Sequence, residues 1–205
     1  MKELKIGICG WGNVATGLFK SLNENAKIIK ANSGANISVE VIGARRDNPK
    51  CNPDKIKVVR DIFEVSKHDI DVVVELIGGV DVARELILDA IKNKKHIVTA
   101  NKAVIYHHGD EIFEAAKNNG VRVLFEAAVC AGTPIIKLLK EELAANNISK
   151  ISGMLNGTSN FILSNMEEGS EFKSTLALAQ KEGYAEPDPA FDIEGMDAAH
   201  KIGIL

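Results

Sequence analysis

Short apolar runs alternate with amphipathic segments from the N-terminus to Phe125. The apolar runs lie at residues 4–9, 37–44, 57–59, 71–76, 96–99 and 121–125, and their length and β-branched content are typical of buried strands. Between them, residues 18–27, 82–95 and 110–119 have the periodicity of helices. This alternation predicts an α/β fold, a Rossmann-like doubly wound parallel sheet whose ligand crevice lies at the carboxyl ends of the strands.

The rest of the chain departs from this rhythm. Residues 135–145, 161–169, 174–182 and those after 195 predict helices, whereas 148–155 predict a strand outside the sheet. We therefore expect a first domain at 1–134 and an incomplete α+β domain at 135–205. The helical pattern that runs up to Leu205 is expected of a partial chain.

Three local features carry weaker expectations. The stretch 27–36 is a long connection without a predicted element, and His107-His108 is expected in a loop or at a helix start. Before the helix at 161–169, Thr158 or Ser159 would make an N-cap.

A glycine-rich turn follows the first strand. Gly10, Gly12 and Ala15 form G-x-G-x-x-A between a strand and a helix start, which is the context that a dinucleotide fingerprint requires. Backbone amides of this turn, including those of Asn13 and Val14, would face a pyrophosphate. Trp11 either covers the cofactor or is a half-exposed loop residue.

The end of the second strand bears on the choice of cofactor. Arg45 and Arg46 stand where the adenosine ribose is expected, and a guanidinium matches a 2′-phosphate. This favours NADP(H) over NAD(H). The alternatives stay open, because the arginines could face solvent and Asp47 could accept from a ribose hydroxyl.

Two later strands end in residues suited to the same crevice. Gly78 follows the strand at 71–76. Thr99 ends the strand at 96–99, and Asn101 and Lys102 follow it. Lys102 could reach the crevice or merely cap the next helix.

Near the C-terminus, acids and one lysine surround a loop. Pro187 and Pro189 stiffen residues 185–192, so that Glu186 and Asp192 would be held in place. Asp197 and Lys201 are spaced i, i+4 and share one helix face. The alternative is a surface ion pair of little energetic weight.

Composition limits the partners. The 25 Lys and Arg against 28 Asp and Glu give a net charge of −3, without a basic block. Nucleic acid and membrane are therefore not expected as partners. Met1 leads directly into a strand-like segment without a signal-peptide pattern, and no apolar run reaches membrane-spanning length, so a cytoplasmic protein is expected. Cys9, Cys51 and Cys130 have no metal-ligand spacing and are expected to be reduced structural residues.

Taken together, the segments GICGWGNVATG, VTANKA, FEAAVCAGTPII, MLNGTSNFIL and AEPDPAFDIEGMDAAHKIGIL resemble homoserine dehydrogenase over the whole chain. The resemblance implies an oxidoreductase that interconverts L-aspartate 4-semialdehyde and L-homoserine with NAD(P), in threonine, methionine and isoleucine biosynthesis. It also implies a first domain that binds NAD(P), a second domain for substrate binding and dimerisation, and a homodimer for the full-length protein. A chain of this length could be inactive by itself.

The same resemblance assigns roles to individual residues. It implies catalysis by Lys201 and Lys102, and substrate binding by Glu186, Asp192, Asp197, Gly157 and Thr158. The glycine turn and the strand ends described above, and not the resemblance, give the expected cofactor-binding residues: Gly10, Trp11, Gly12, Asn13, Val14, Arg45, Arg46, Gly78, Thr99, Asn101 and Lys102. A sodium-like cation would lie at Glu126, Val129, Ala131 and Thr133, although Cys130 stands where the family often has glycine.

Two other functions remain open on the sequence. A related two-domain dehydrogenase acting on an amine would keep the glycine turn without the complete C-terminal motif. A non-catalytic nucleotide-binding module would tolerate loss of Lys102, Lys201 and the acids.

Overall fold

The computed structural model describes residues 2–205. The chain forms two compact units, Met1–Ala128 and Val129–Leu205. The domain boundary expected after residue 134 stays a prediction.

The first unit is built on a six-stranded sheet in the order β3-β2-β1-β4-β5-β6, with every adjacent pair parallel. The strands are β1 Lys2–Cys9, β2 Ala35–Gly43, β3 Lys57–Val59, β4 Val72–Glu75, β5 His96–Thr99 and β6 Val123–Leu124. Strands β1 to β3 are added toward one edge of the sheet, and strands β4 to β6 are added toward the other edge. This order is that of a dinucleotide-binding fold. The predicted doubly wound sheet is confirmed.

Helices follow the strands in this unit. They are α1 Asn13–Glu24, α2 Ala26–Ser33, α3 Asp81–Lys92 and α4 Lys102–Asn119, with 3₁₀ turns at Ile62–Lys67 and Glu126–Ala128. Side chains alternate between the two faces of the sheet along each strand. Those of Ile6, Ile8 and Ile42 pack in one cluster with Ala15 and Phe19 of α1. Helix α3 packs against β4 and β5. The sheet thereby places the carboxyl ends of β1, β2 and β4 next to one another.

Two local predictions for this unit were wrong. Most of the connection at 27–36 belongs to α2, which Gly34 ends in a left-handed conformation. Helix α4 begins at Lys102, not at residue 110, so His107-His108 lies inside it, with His108 at a kink (φ −132°). Burial of Val104 and Ile105 accounts for the earlier start, because tertiary packing outweighs weak local propensity.

The second unit contains α5 Ile135–Lys137, which continues as a π-helical turn at Leu138–Glu142. It then forms α6 Gly157–Glu167, α7 Phe172–Lys181, α8 Ala190–Ile193 and α9 Met196–Ile204. The expected strand at 148–155 is absent from the structure of residues 2–205. A strand needs a neighbour whose N–H and C=O groups it can bond, and Val129–Leu205 supplies none, so the strand part of the predicted α+β unit is not formed there.

No helix among residues 2–205 combines the length and the apolar character needed to cross a membrane.

Candidate active site

A cavity of about 610 Å³ opens at the carboxyl ends of β1, β2 and β4. Six of the residues predicted to bind a cofactor line it: Gly10, Trp11, Gly12, Asn13, Arg45 and Arg46. The first three come from the turn between β1 and α1, Asn13 is the first residue of α1, and the two arginines follow β2. The structure therefore brings the glycine turn and the arginines to one cavity within the first unit.

The two turn glycines have different physical roles. Gly10 has φ +99°, and a Cβ built on it would lie 2.5 Å from the Leu76 carbonyl oxygen at the end of β4. Gly12 is the N-cap of α1, and a Cβ there would meet no atom within 4 Å. Gly10 thus allows the strands to pack closely, whereas Gly12 leaves open space above the first N–H groups of α1, where an anionic group can approach.

Trp11 is buried, so a half-exposed loop position is excluded. Its indole Nε1–H donates to the Cys51 carbonyl oxygen at 3.1 Å, and its ring packs edge-on against Phe19. In the opposite direction, the Asn48 side-chain amide donates to the Trp11 carbonyl oxygen at 3.0 Å. These bonds tie the segment after β2 to the glycine turn and hold the two walls of the cavity together.

The charged residues at positions 45–50, just after β2, all border the cavity but differ in their contacts. Arg45 and Arg46 are exposed along the cavity, together with Lys50. Asp47 also borders the cavity, but its carboxylate accepts a hydrogen bond from Arg60 Nη2 at 2.7 Å. Cations therefore dominate this wall.

The ends of β4 and β5 form a second group of predicted residues in the same unit. Gly78 has φ +72° and so turns the chain after β4. Thr99 is fully buried at the end of β5, Asn101 is the N-cap of α4, and Lys102 is the first residue of that helix. Val14 lies apart from the cavity, on an apolar groove along the sheet.

The second unit brings Asp192, Asp197 and Lys201 together. Lys201 Nζ donates to Asp197 Oδ2 and to the Leu155 carbonyl oxygen, each at 2.6 Å. The side chains of the lysine and the aspartate are only 19% and 10% exposed, so this is not a solvated surface pair. An ammonium group has three N–H donors, and residues 2–205 give Lys201 no third hydrogen-bond acceptor. One donor is left for a ligand.

Asn156 joins the two carboxylates. Its side-chain amide donates to Asp192 Oδ1 and to Asp197 Oδ2, both at 2.8 Å, while its Oδ1 accepts from the Ser159 amide as the N-cap of α6. The expected caps Thr158 and Ser159 were therefore wrong. Like charges this close are stable only when donors are shared between them, and Asn156 and Lys201 supply those donors.

Of the other predicted substrate residues, Thr158 contacts this cluster, Gly157 follows Asn156 in the chain, and Glu186 lies in the proline-containing loop. Thr158 is buried, and its hydroxyl lies 2.6 Å from the Tyr184 carbonyl oxygen and 3.0 Å from Asp192 Oδ2. Gly157 is the exposed first residue of α6. Glu186 is exposed, and its carbonyl oxygen accepts a bond from Gln180 Nε2 at 3.2 Å, which helps to hold the proline-containing loop.

The residues predicted to hold a cation lie along the segment 126–133. Glu126 begins the 3₁₀ turn that closes the first unit, and Val129, Ala131 and Thr133 open the second, where Thr133 N–H donates to the Cys130 carbonyl oxygen at 2.8 Å. Among residues 2–205, His, Cys, Asp and Glu side chains form no group of three or more that could hold a metal ion. The cation site stays a prediction.

Cys130 is strained, because its φ of +50° places a side chain in the left-handed region. We expect Cys130→Gly to raise the free energy of unfolding by about 1 kcal/mol relative to Cys130→Ala, since only glycine removes the Cβ responsible for the strain. Urea denaturation of both variants measures the difference. Equal stability of the two would show that the strain is already relieved by the surrounding loop.

Comparison with known proteins gives a family. The family model described as homoserine dehydrogenase, NAD binding domain, matches residues 10–126, and the model described as homoserine dehydrogenase matches residues 134–205. The chain belongs to the homoserine dehydrogenase family. The match includes both the glycine turn and the acid–lysine cluster.

Individual family members agree with this assignment. A homoserine dehydrogenase of Pseudomonas aeruginosa is 55% identical over all of this chain and 48% of its own length. The crystal structure of a homoserine dehydrogenase from Thiobacillus denitrificans is 47% identical, with a TM-score of 0.88 over 98% of this chain and 47% of that chain. A hyperthermophilic archaeal homoserine dehydrogenase in complex with NADPH is 29% identical, with a TM-score of 0.84 over 98% of this chain and 68% of that one. The chain spans about half the length of the curated homoserine dehydrogenases it matches.

Two functional candidates in this chain were missed from the sequence. Asn156 was considered only as part of an N-G-T segment, in which the glycine and threonine were chosen, although an asparagine before a helix is a common N-cap. Glu75 was taken as part of an apolar strand, and yet its carboxylate is fully buried at the end of β4. A carboxylate inside a buried strand is rare, and that rarity could have identified it.

Proposed function

We propose that the full-length protein is an NAD(P)-dependent homoserine dehydrogenase, which interconverts L-aspartate 4-semialdehyde and L-homoserine. The observation that carries the proposal is Lys201, oriented by Asp197 and the Leu155 carbonyl with one N–H donor left over. The family assignment supports the same activity.

The first unit fits the cofactor. Gly12 leaves space over the N-terminus of α1 for a pyrophosphate, with the amides of Asn13 and its neighbours as donors. The turn after β4 and the start of α4, which include Gly78, Asn101 and Lys102, would hold the other half of the dinucleotide. When bound, the nicotinamide supplies or accepts the hydride.

In the reducing direction, the aldehyde oxygen becomes negatively charged as the hydride reaches its carbon. An N–H of Lys201 would bond that oxygen, stabilise the charge and transfer a proton to give the alcohol. Asp197 fixes the direction of the amine. The cluster of Asp192, Asp197 and Lys201 carries a formal charge of −1, which suits the substrate ammonium, with Glu186, Gly157 and Thr158 as further contacts. Lys102 is proposed as a second catalytic lysine.

Oxidation of L-homoserine by the full-length protein tests this activity. Nicotinamide absorbance would be followed with NAD and NADP in parallel, and released ammonia would be assayed in the same reaction. Turnover without ammonia is expected. Ammonia release would identify an amine dehydrogenase instead, and dinucleotide binding without turnover would identify a non-catalytic module.

We propose NADP(H) as the preferred cofactor, because Arg45 and Arg46 face the cavity while Asp47 is engaged by Arg60. Each arginine replaced by alanine should raise the KM for NADP by about 10- to 100-fold, since a charge-assisted hydrogen bond is lost, and leave the KM for NAD within about threefold. Arg122→Ala, at an exposed arginine that does not line this cavity, is the matched control. An equal loss with both cofactors would contradict the preference.

Three further expectations belong to the same proposal. A sodium-like cation would bind main-chain oxygens near Val129, Ala131 and Thr133, with Glu126 named from the motif. The full-length protein would be a homodimer in the cytoplasm. Activity titrated with Na⁺ against a choline control tests the cation, and light scattering of the full-length protein tests the dimer.

A further inference from the structure

Glu75 is a buried carboxylate to which the chemistry above gives no role. It is the last residue of β4, with Cys9 of β1 on one side and Thr99 of β5 on the other, and none of its surface is exposed. Burying a carboxylate costs free energy unless its oxygens are well bonded. The contacts of those two oxygens therefore indicate what the residue does.

Each oxygen of Glu75 holds a different turn. Oε1 accepts from the Ile77 amide at 2.9 Å, which bends the chain directly after β4. Oε2 accepts from the Thr99 hydroxyl at 2.5 Å. Thr99 Oγ1 in turn accepts from the Asn101 amide at 2.9 Å. One carboxylate thus connects the turn after β4 with the turn after β5.

Asn101 completes the connection. Its side-chain amide donates to the Gly79 carbonyl oxygen at 2.7 Å, and its Oδ1 caps α4 at the Val104 amide. The chain of bonds therefore runs from Glu75 through Thr99 and Asn101 and returns to the turn after β4. Gly78 and Gly79 in that turn both have positive φ, so the turn has a conformation that needs such restraint.

The two restrained turns contribute to the proposed cofactor site. Ile77 lines the cavity shared with Gly10 and Gly12. Lys102 follows Asn101 as the first residue of α4, so the direction of its backbone is set by the cap. The Thr99 hydroxyl acts as a donor to Glu75 and as an acceptor from Asn101, so its donor and its acceptor roles are both used inside the network. Thr99 is itself fully buried.

A redox or nucleophilic role for this region is not supported. Burial raises the pKa of the Cys9 thiol, and the nearby Glu75 carboxylate raises it further. The thiol points its S–H toward the Ile62 carbonyl oxygen at 3.8 Å. Cys9 therefore stays protonated and is an inert neighbour of Glu75.

We propose that Glu75 is a positioning residue for the dinucleotide site, which acts through Thr99 and Asn101 to hold the turn at 77–79 and the start of α4 at Lys102 in the geometry that binds the cofactor. This inference rests on the proposed function.

The test uses the full-length protein and a pair of substitutions at Thr99. Thr99→Val keeps the shape and removes the hydroxyl between Glu75 and Asn101, whereas Thr99→Ser keeps the hydroxyl. Thr99→Val should weaken NADP(H) binding, measured by calorimetry, by at least about tenfold, because the Glu75 oxygen and the Asn101 amide each lose a partner. Thr99→Ser should recover most of that loss. Glu75→Gln, which keeps the volume, should weaken binding in the same direction.

Ser66→Ala is the control for a purely structural effect. Ser66 is as buried as Thr99 and donates to Asp89 Oδ2 at 2.7 Å, outside the network. It should lower the melting temperature without changing NADP(H) binding. Thr99→Val with normal binding, or with a loss no larger than that of Ser66→Ala, would overturn the positioning role. Because binding is measured without turnover, wild-type protein that binds NADP(H) but fails to oxidise homoserine would reject the proposed function and leave this test intact.

Discussion

Lys201→Ala in the full-length protein is expected to lower kcat for homoserine oxidation by about 10²- to 10⁴-fold, the range for loss of a general acid or base. The amine is held by Asp197 and the Leu155 carbonyl at 2.6 Å each, so its loss removes a donor that is already oriented. Dinucleotide binding should survive, because Lys201 belongs to the second unit and the glycine turn to the first. Stopped-flow kinetics and cofactor titration measure the two effects separately.

Two controls separate chemistry from folding in that variant. Removing the lysine leaves Asp197, whose side chain is 10% exposed, without its ion-pair partner, and this could destabilise α9. Lys201→Ala combined with Asp197→Asn removes this unpaired charge, so the double variant should recover the melting temperature but not the turnover. Lys181→Ala, at an exposed lysine in the last turn of α7, should behave as wild type. Near-normal turnover by Lys201→Ala would exclude the lysine from the chemistry.

Gly10→Ala is expected to lower the stability of the fold, whereas Gly12→Ala is expected to weaken cofactor binding. The Gly10 variant would place a Cβ 2.5 Å from the Leu76 carbonyl oxygen at φ +99°, and we expect it to lose about 3 kcal/mol or more of unfolding free energy. The Gly12 variant has free space for its Cβ and should lose less than about 1 kcal/mol. It should nevertheless weaken cofactor binding by at least about tenfold, because the new methyl group occupies the approach to the pyrophosphate.

Urea denaturation and cofactor titration of the two variants check this pair, and each variant is the control for the other. Gly12→Ala with wild-type affinity would mean that the pyrophosphate binds elsewhere. Equal destabilisation by both variants would mean that the turn, and not the close approach to β4, limits stability.

The sequence was most informative where short segments determine structure. The glycine turn between β1 and α1 could be predicted because strand, turn and helix start are contiguous in the chain. The Asp197–Lys201 pair could be predicted because i, i+4 spacing is a property of any helix. The cation-rich wall at Arg45 and Arg46 follows from its position at the end of β2.

Predictions that depended on distant residues were less successful. The strand at 148–155 has suitable residues but no partner within Val129–Leu205, and α4 extends to Lys102 because buried side chains favour it. Trp11 could not be placed from the sequence alone, because its burial depends on Cys51 and Phe19.

The amino-acid sequence by itself determined the Rossmann-like first unit, the family, and which charged residues and glycines belong to the proposed sites. Only the tertiary structure decided how those residues are held: Asn156 between two carboxylates, Asp47 against Arg60, and Glu75 between two turns. The physical reason is that periodicity and spacing indicate the backbone conformation of each residue and whether its side chain is buried or exposed. The partner of a buried polar group is set by chain segments tens of residues away, and only the folded chain brings those segments together.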